Sequence, residues 1–111
     1  MTIDNSNEIF ANVIEILEQI IDIIEQKDPD LTWSRFDNID DIIDELRDHI
    51  KNLKNRNLSK LNDLILLFAP TASLQEISIS SGWGSKFLKI SKKFDLTIEE
   101  LKHEFNQYTK I

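Results

Sequence analysis

The residues of this chain that could transfer protons or bind metals are two histidines and several aspartates. His49 directly follows Asp48, and His103 directly precedes Glu104. Neither histidine belongs to a His-Glu-x-x-His pattern, and no short spacing pairs the two as ligands. Asp44 and Asp48 are four residues apart, so a helix would place both carboxylates on one side, near His49. A hard cation could bind there, but nothing fixes its geometry, and a solvated helix face is the favoured interpretation.

The other segments give even less support for catalysis or metal binding. The Asp28-Pro29-Asp30 segment lacks the glycine and the closing glutamate of a calcium-binding EF-hand loop. The serines around Gly82-Trp83-Gly84 do not form a Gly-x-Ser-x-Gly nucleophile motif, and the chain has no cysteine to replace them. Asp28, Asp30 and Asp37, which lie near Trp33 in the sequence, are the candidates for catalysis by paired carboxylates. The sequence therefore predicts a protein that is not an enzyme and holds no metal or cofactor.

The charged residues are distributed unevenly along the chain. The formal net charge is -7, but residues 1–48 contain 14 acidic and three basic side chains, whereas residues 49–111 contain 10 basic and six acidic ones. The two segments thus carry -11 and +4. These charges either neutralise each other within one compact domain or leave a strongly negative surface on the first segment. Such a surface favours a basic protein partner and disfavours nonspecific nucleic-acid binding, which depends on lysine and arginine at phosphates.

Length and composition favour a single helical domain. A chain of 111 residues is close to the commonest domain size, so we assign residues 1–111 to one domain. Two glycines and two prolines are too few for the frequent turns of a β-sandwich or barrel. The N-terminus lacks the basic region of a secretory signal, and acidic residues interrupt the apolar stretch 9–24. We therefore expect no membrane segment and a cytoplasmic location.

The first predicted helix has an unusually wide apolar side. It begins at the cap-like Asn5-Ser6-Asn7 and ends near Lys27, because Pro29 disfavours a helical conformation in the residue before it. A wide apolar stripe is typical of a central core helix. Alternatively, part of the stripe is left for another chain, which would make the protein a self-associating structural or regulatory module. The expected state is a monomer or a weak homodimer.

The rest of the chain predicts five further helices with short connections. The second helix covers Ile39 to Lys54, and the third is capped by Ser59 and ends at Phe68. Residues 74–81 are ambiguous, since their Ile-Ser-Ile-Ser end alternates like a strand; we predict a short helix that is capped by Ser73 and ends before Gly82.

Two more helices are predicted after that glycine. One covers residues 86–94, and Thr97 and Glu100 form a capping box that opens another helix extending to about residue 108. The turn between them is faintly similar to that of a DNA-binding helix-turn-helix unit, but Glu99 and Glu100 would face phosphates unfavourably. We therefore expect no direct nucleic-acid partner. The predicted fold is all-α: a single compact bundle of five or six helices joined by short loops.

The strongest candidate binding surface is the aspartate-rich side of the second helix. These aspartates recur at helical spacing on the side that the apolar residues leave open. Trp33, in the acidic connection before this helix, and Trp83 either pack at the edge of the core, as tryptophans usually do, or anchor a protein interface. The predicted partner-binding residues are Asp30, Trp33, Asp37, Asp40, Asp41, Asp44 and Asp48.

The middle of the chain resembles a known group of proteins. A leucine-rich helix ends at Phe68, small residues follow in Ala69-Pro70-Thr71-Ala72, and Ser73-Leu74-Gln75-Glu76 begins the next helix. This arrangement is similar to small all-helical immunity proteins of bacterial polymorphic and contact-dependent growth inhibition toxin systems. The similarity covers roughly residues 30–95, and its specific part is Leu67 to Ser81, although the turn departs from the Gly-Met-Gly that is commoner there.

This resemblance implies a non-catalytic cytosolic protein that neutralises a cognate toxin, and it supplies no catalytic residues. The motif from Phe68 to Glu76 is expected to be a fold element rather than a binding site. A toxin that cleaves RNA or DNA must be basic where it holds its substrate, so an acidic inhibitor could cover that surface.

Overall fold

The computed structural model describes residues 5–26, 31, 34, 36–70 and 72–109. Within these ranges the chain forms five helices and no strand, which confirms the all-α prediction. The molecule is elongated, with principal dimensions of 48 × 24 × 21 Å. The helices are α1 (Asn5–Gln26), α2 (Ile39–Lys54), α3 (Leu61–Leu67), α4 (Ser73–Ser80) and α5 (Gly84–Thr109).

Helix α1 is the central element of the core. It packs against both α2 and α5, and this double contact accounts for the width of its apolar stripe. Ile14 is the apolar residue of the stripe that stays partly exposed. The buried part of the stripe is therefore covered by the chain itself. Its buried residues are Ile9, Phe10, Val13, Ile16, Leu17, Ile20, Ile21, Ile23 and Ile24.

Helix α2 has the predicted boundaries and ends in a Schellman motif. The Asn57 N–H donates to the carbonyl oxygen of Asn52 at 2.8 Å, and the Arg56 N–H donates to that of Leu53 at 3.0 Å. The backbone of Arg56 is in the left-handed conformation, with φ of 57°, at a position that glycine usually occupies. Its guanidinium donates to the Leu53 carbonyl and to Asn7 Oδ1, and lies 4.3 Å from the Phe10 ring centroid. These contacts hold the end of α2 against the beginning of α1.

Helices α3 and α4 form where predicted, but both predicted caps are wrong. The N-cap of α3 is Lys60 rather than Ser59, and that of α4 is Ala72 rather than Ser73; neither makes a side-chain capping bond. The ambiguous segment is helical because its buried residues, Leu74, Ile77 and Ser78, follow the i, i+3, i+4 spacing of one helix face. The Ser78 hydroxyl donates to the Gln75 carbonyl at 2.7 Å, so its burial leaves no unpaired group.

Helix α5 is continuous, and the predicted break at residues 95–96 is wrong. Thr97 is buried inside the helix, and its hydroxyl donates to the Lys93 carbonyl at 2.8 Å instead of capping a new helix. The segment contains no glycine or proline to end the helix. The core-facing residues also keep one helical register through it, and this excludes a helix-turn-helix here: they are Phe87, Ile90, Phe94, Thr97, Ile98 and Leu101.

An aromatic cluster joins the end of α3 to α5. Phe68 lies nearly parallel to Phe94, with ring centroids 3.8 Å apart, and is 6.0 Å from Phe87. Trp83 meets Phe87 edge-on at 6.1 Å and is buried at the start of α5. Trp83 is therefore a core residue, as the commoner of its two interpretations predicted. Gly82 precedes it with φ of 88°, a conformation that residues with a Cβ atom rarely adopt.

Candidate protein-binding surface

Four of the aspartates predicted to bind a partner lie together on the solvent side of α2, and a fifth, Asp37, lies two residues before this helix. Asp37, Asp40, Asp41, Asp44 and Asp48 are all exposed. Two other predicted site residues, Asp30 and Trp33, lie outside the described residues. We refer to the five exposed aspartates as the α2 acidic row.

The acidic row follows from the strong amphipathicity of α2. Its core side is formed by Ile42, Ile43, Leu46, His49, Ile50 and Leu53, which leaves only the opposite arc for charged residues. From Asp40 to Asp48 the row extends about 12 Å at 1.5 Å per residue. Asn38 begins the helix, and its Oδ1 accepts a hydrogen bond from the Asp41 N–H at 2.9 Å.

The first helical turn stabilises part of this negative charge. Asp40 and Asp41 lie at the N-terminus of α2, where unpaired backbone N–H groups favour anions by about 0.3–1 kcal/mol each. Repulsion between like charges four residues apart costs about 0.2–0.5 kcal/mol per pair. The two effects are of similar size, so the row can exist on a stable helix without a cation between its members.

The α2 acidic row forms no ion pair within the described part of the chain. None of its five carboxylates has an ion-pair partner there. Arg47, which lies beside the row on α2, is directed to Glu25 of α1, with 3.8 Å between Nη2 and Oε2. Both side chains are about half exposed, so the pair contributes little stability. The chemistry that remains available to the row is hydrogen-bond acceptance from lysine and arginine side chains of another molecule.

Helix α1 adds carboxylates that were not included in the predicted site. Along its 22 residues it has no basic side chain, and its acidic residues share its exposed side. The sequence already placed them opposite the apolar stripe, but only the packing of α1 on α2 shows that Glu25 reaches the edge of the α2 acidic row. The exposed acidic residues of α1 are Glu8, Glu15, Glu18, Asp22 and Glu25.

His49 does not join Asp44 and Asp48 in a metal site. It lies on the buried side of α2, 5% exposed, whereas both aspartates face solvent. Burial lowers the pKa of His49, and Lys60 acts in the same direction, while the carboxylates of Glu45, Asp48 and Asp63 oppose the shift. Within the described residues, no cluster of histidine, aspartate and glutamate could hold a metal ion.

The second histidine lies at a shallow crevice between the beginning of α1 and the second half of α5. The crevice has a volume of about 230 Å³, and Glu8, Asn12, Glu100, His103 and Glu104 contribute to its walls. Three carboxylates line it without a described nucleophile, so it offers no arrangement of nucleophile, base and orienting group. Its character is acidic, like the exposed side of α1.

None of the protein families, curated proteins or solved structures compared with this chain matches it. Within the described residues, no helix combines the length and the apolar character needed to cross a bilayer. The candidate surface is therefore characterised by its own geometry and charge.

Proposed function

We propose that this protein is a non-catalytic immunity protein that acts in the cytoplasm and neutralises a toxin by covering a basic surface of it. The observation that carries the proposal is the α2 acidic row: exposed carboxylates, unpaired within the described chain, on one side of a helix with a buried opposite face. A basic groove that holds nucleic acid is the surface that such a row complements.

The spacing of the row suits competition with a nucleic acid. Asp40, Asp44 and Asp48 recur every four residues, or about 6 Å along the helix axis. One strand of duplex DNA carries a phosphate for about every 3.4 Å of helix axis, so both arrays repeat negative charge at intervals of a few ångströms along their axes. Lysines and arginines that grip phosphates can donate to these carboxylates instead, which excludes the substrate from the groove.

The resemblance to immunity proteins is compatible with a binding surface on α2. The residues that carry it, from Leu67 to Ser81, include a buried set that holds α3 and α4 on α5 rather than a free charged surface. Binding is therefore assigned to α2, and the segment of resemblance to the fold. The buried members of the segment are Leu67, Phe68, Leu74, Ile77 and Ser78.

The proposal is tested by co-expression with a toxin. The toxin to use is the C-terminal domain of a large secreted protein encoded directly upstream of this chain, expressed in a bacterial host with and without the chain. We expect the chain to restore growth and to form a complex with the purified domain. The triple substitution Asp40→Lys, Asp41→Lys and Asp44→Lys should abolish rescue and lower affinity at least tenfold, because carboxylates are replaced by cations that repel the toxin.

A second triple variant separates the location of the charge from its amount. Asp95→Lys, Glu99→Lys and Glu100→Lys change the net charge equally, at exposed positions on α5, which packs against α1 and α4. This control should still rescue growth. Circular dichroism verifies that both variants remain folded. Equal loss in the two folded variants would reject the α2 acidic row as the binding surface, and failure of the unchanged chain to bind or rescue would reject the function itself.

A further inference from the structure

The face of the molecule formed by α3, α4 and α5 contains an open groove with an apolar lining. The groove lies between the α3–α4 connection and α5 and has a volume of about 580 Å³, within the range of ligand-binding clefts. Its apolar lining comes from Ile65, Phe68 and Pro70 on one side and from Phe87 and Leu88 on the other. An apolar side chain of another molecule can therefore enter it from the solvent side.

Exposed apolar side chains continue from this groove over the same face. Leu88, at the edge of the groove, is 58% exposed, and Leu96 on α5 is 62% exposed. Ile79 is 58% exposed, and a Cβ atom on Gly84 would lie 3.2 Å from its Cγ1, so Ile79 packs against α5 one turn before Leu88. The described part of α1 and α2 has no exposed large apolar residue. Several such residues beside an open groove are typical of a protein interface.

The groove contains one side chain of each charge. Lys92 and Asp95 both line it, three residues apart on α5. Both are exposed, and neither forms an ion pair among the described residues. The other three lysines in the first half of α5 lie further around the helix, outside the lining. The charges of the groove therefore cancel, which favours neither a nucleic acid nor a strongly charged protein, and a second copy of the chain supplies the complement of both.

The spacing of these residues along α5 suits a two-fold axis near Lys92. Leu88 precedes Lys92 by four residues, and Leu96 follows it by four. Two antiparallel α5 helices that cross at Lys92 therefore place Leu88 of each copy at the level of Leu96 of the other. Asp95 of the second copy lies three residues, or about 4.5 Å along the axis, from the position opposite Lys92, which a lysine side chain can reach. The two lysines then point away from the axis, each toward an aspartate.

We propose that this face joins two copies of the chain in a symmetric, antiparallel dimer. Leu88 of each copy enters the groove of the other, and Lys92 of each copy pairs with Asp95 of the other, so that every contact occurs twice. The α2 acidic row is not used, since it lies on a different helix that faces solvent. Dimerisation therefore does not depend on the proposed toxin neutralisation, and its test requires no toxin.

Sedimentation equilibrium of the purified chain measures the dimerisation. An interface built from one groove and a few exposed apolar side chains is at the small end of specific interfaces, so we expect a Kd of about 10–100 µM. Leu88→Gln should raise this Kd at least fivefold, because the side chain that enters the groove becomes polar. Leu66→Gln is the matched control: Leu66 is 63% exposed but does not line the groove, and its substitution should leave the Kd unchanged.

A charge exchange tests the symmetric pairing. In the Lys92→Asp variant both groove charges are negative, and in the Asp95→Lys variant both are positive. Each variant alone should dimerise at least fivefold more weakly than the unchanged chain, because like charges meet at both ends of the contact. An equimolar mixture of the two should form a heterodimer with nearly the original affinity, because each copy then meets the opposite charge. Circular dichroism verifies that all variants are folded.

Five results would overturn the proposal. The first is a monomer at every concentration up to about 500 µM, well above the expected Kd. The second is an undiminished dimer of the Leu88→Gln variant, and the third is an equal loss in the Leu66→Gln control. The fourth is a mixture of the charge variants that associates no better than either alone. The fifth is loss of the dimer in the triple aspartate variant of α2, which would assign self-association to the α2 acidic row.

Discussion

Replacing Phe68 by alanine tests the aromatic cluster that joins the end of α3 to α5. Phe68 is 3% exposed, stacks on Phe94 at 3.8 Å and lies 6.0 Å from Phe87. Removing a buried phenylalanine side chain costs about 3–5 kcal/mol through lost burial and the cavity left behind. Phe68 also lines an open groove between the α3–α4 connection and α5, so its neighbours can relax and water can enter. We therefore expect the lower part of that range, about 3–4 kcal/mol.

The loss should be large relative to the total stability. Domains of this size unfold with about 5–15 kcal/mol, so Phe68→Ala removes a fifth or more of the free energy of unfolding. At about 4 °C per kcal/mol, the melting temperature should fall by at least about 12 °C. Urea unfolding followed by far-ultraviolet circular dichroism measures the change, and the dependence on urea concentration should stay the same if only the folded state is affected.

The neighbouring Leu66 provides the matched control. It lies two residues earlier, in the last turn of α3, but is 63% exposed, so Leu66→Ala should change stability by no more than about 0.5 kcal/mol. A double-mutant cycle of Phe68→Leu with Phe94→Leu isolates the stacking, with an expected coupling of about 0.5–1.5 kcal/mol. A loss below about 1 kcal/mol for Phe68→Ala would refute the inference that this ring is packed within the core.

Two further predictions concern buried polar groups. Because burial lowers the pKa of His49 below the ordinary 6.5, the folded state binds fewer protons than the unfolded state near that pH. The free energy of unfolding should therefore fall as the pH is lowered through 6.5 and level off below the folded-state pKa; His49→Gln should remove this decrease in urea titrations, and His103→Gln, at an exposed position, should retain it. Thr97→Val should cost about 0.5–1.5 kcal/mol, because it removes the buried hydrogen bond to the Lys93 carbonyl, and an unchanged free energy of unfolding would show that this bond adds no net stability.

Most of the fold follows from hydrophobic spacing in the sequence. Helix α2 is predicted from Ile39 to Lys54 because its apolar and acidic residues alternate with a clear helical period, and these are its observed bounds. The helix at residues 74–81 is also predicted correctly, since the positions of Leu74 and Ile77 outweigh the local alternation with serine. Where one face of a helix is buried in the core, the hydrophobic periodicity of the sequence identifies that face.

The errors all concern the ends of helices. Ser59, Ser73 and Thr97 are good capping residues by type, yet none of them is the N-cap of a helix in the structure. A cap contributes only about 1 kcal/mol, whereas continuing α5 through Thr97 keeps Phe94 and Ile98 in the core with no break in the backbone hydrogen bonds. Burial in the tertiary structure therefore decides where these helices begin and end. That burial cannot be read from a single sequence.

For the candidate surface as well, the sequence predicts one part and misses another. Exposure of the aspartates from Asp37 to Asp48 follows from the amphipathic pattern of α2 alone. The approach of Glu25 to Arg47 does not, because it depends on how α1 crosses α2. The groove beside Leu88 was also inaccessible to sequence reasoning, since it requires α5 to be continuous and to pass the turn after Phe68.

The end of α2 has a consequence for how the chain folds. A left-handed backbone costs about 1–2 kcal/mol for a residue such as Arg56, and its compensating contacts are with Asn7 and Phe10, 49 and 46 residues earlier. An isolated α2 would therefore fray beyond Leu53, and its terminus would become ordered only when α1 docks. Helix termination and long-range docking then form one cooperative step. Loss of the Arg56 contacts should accelerate unfolding more than it slows folding.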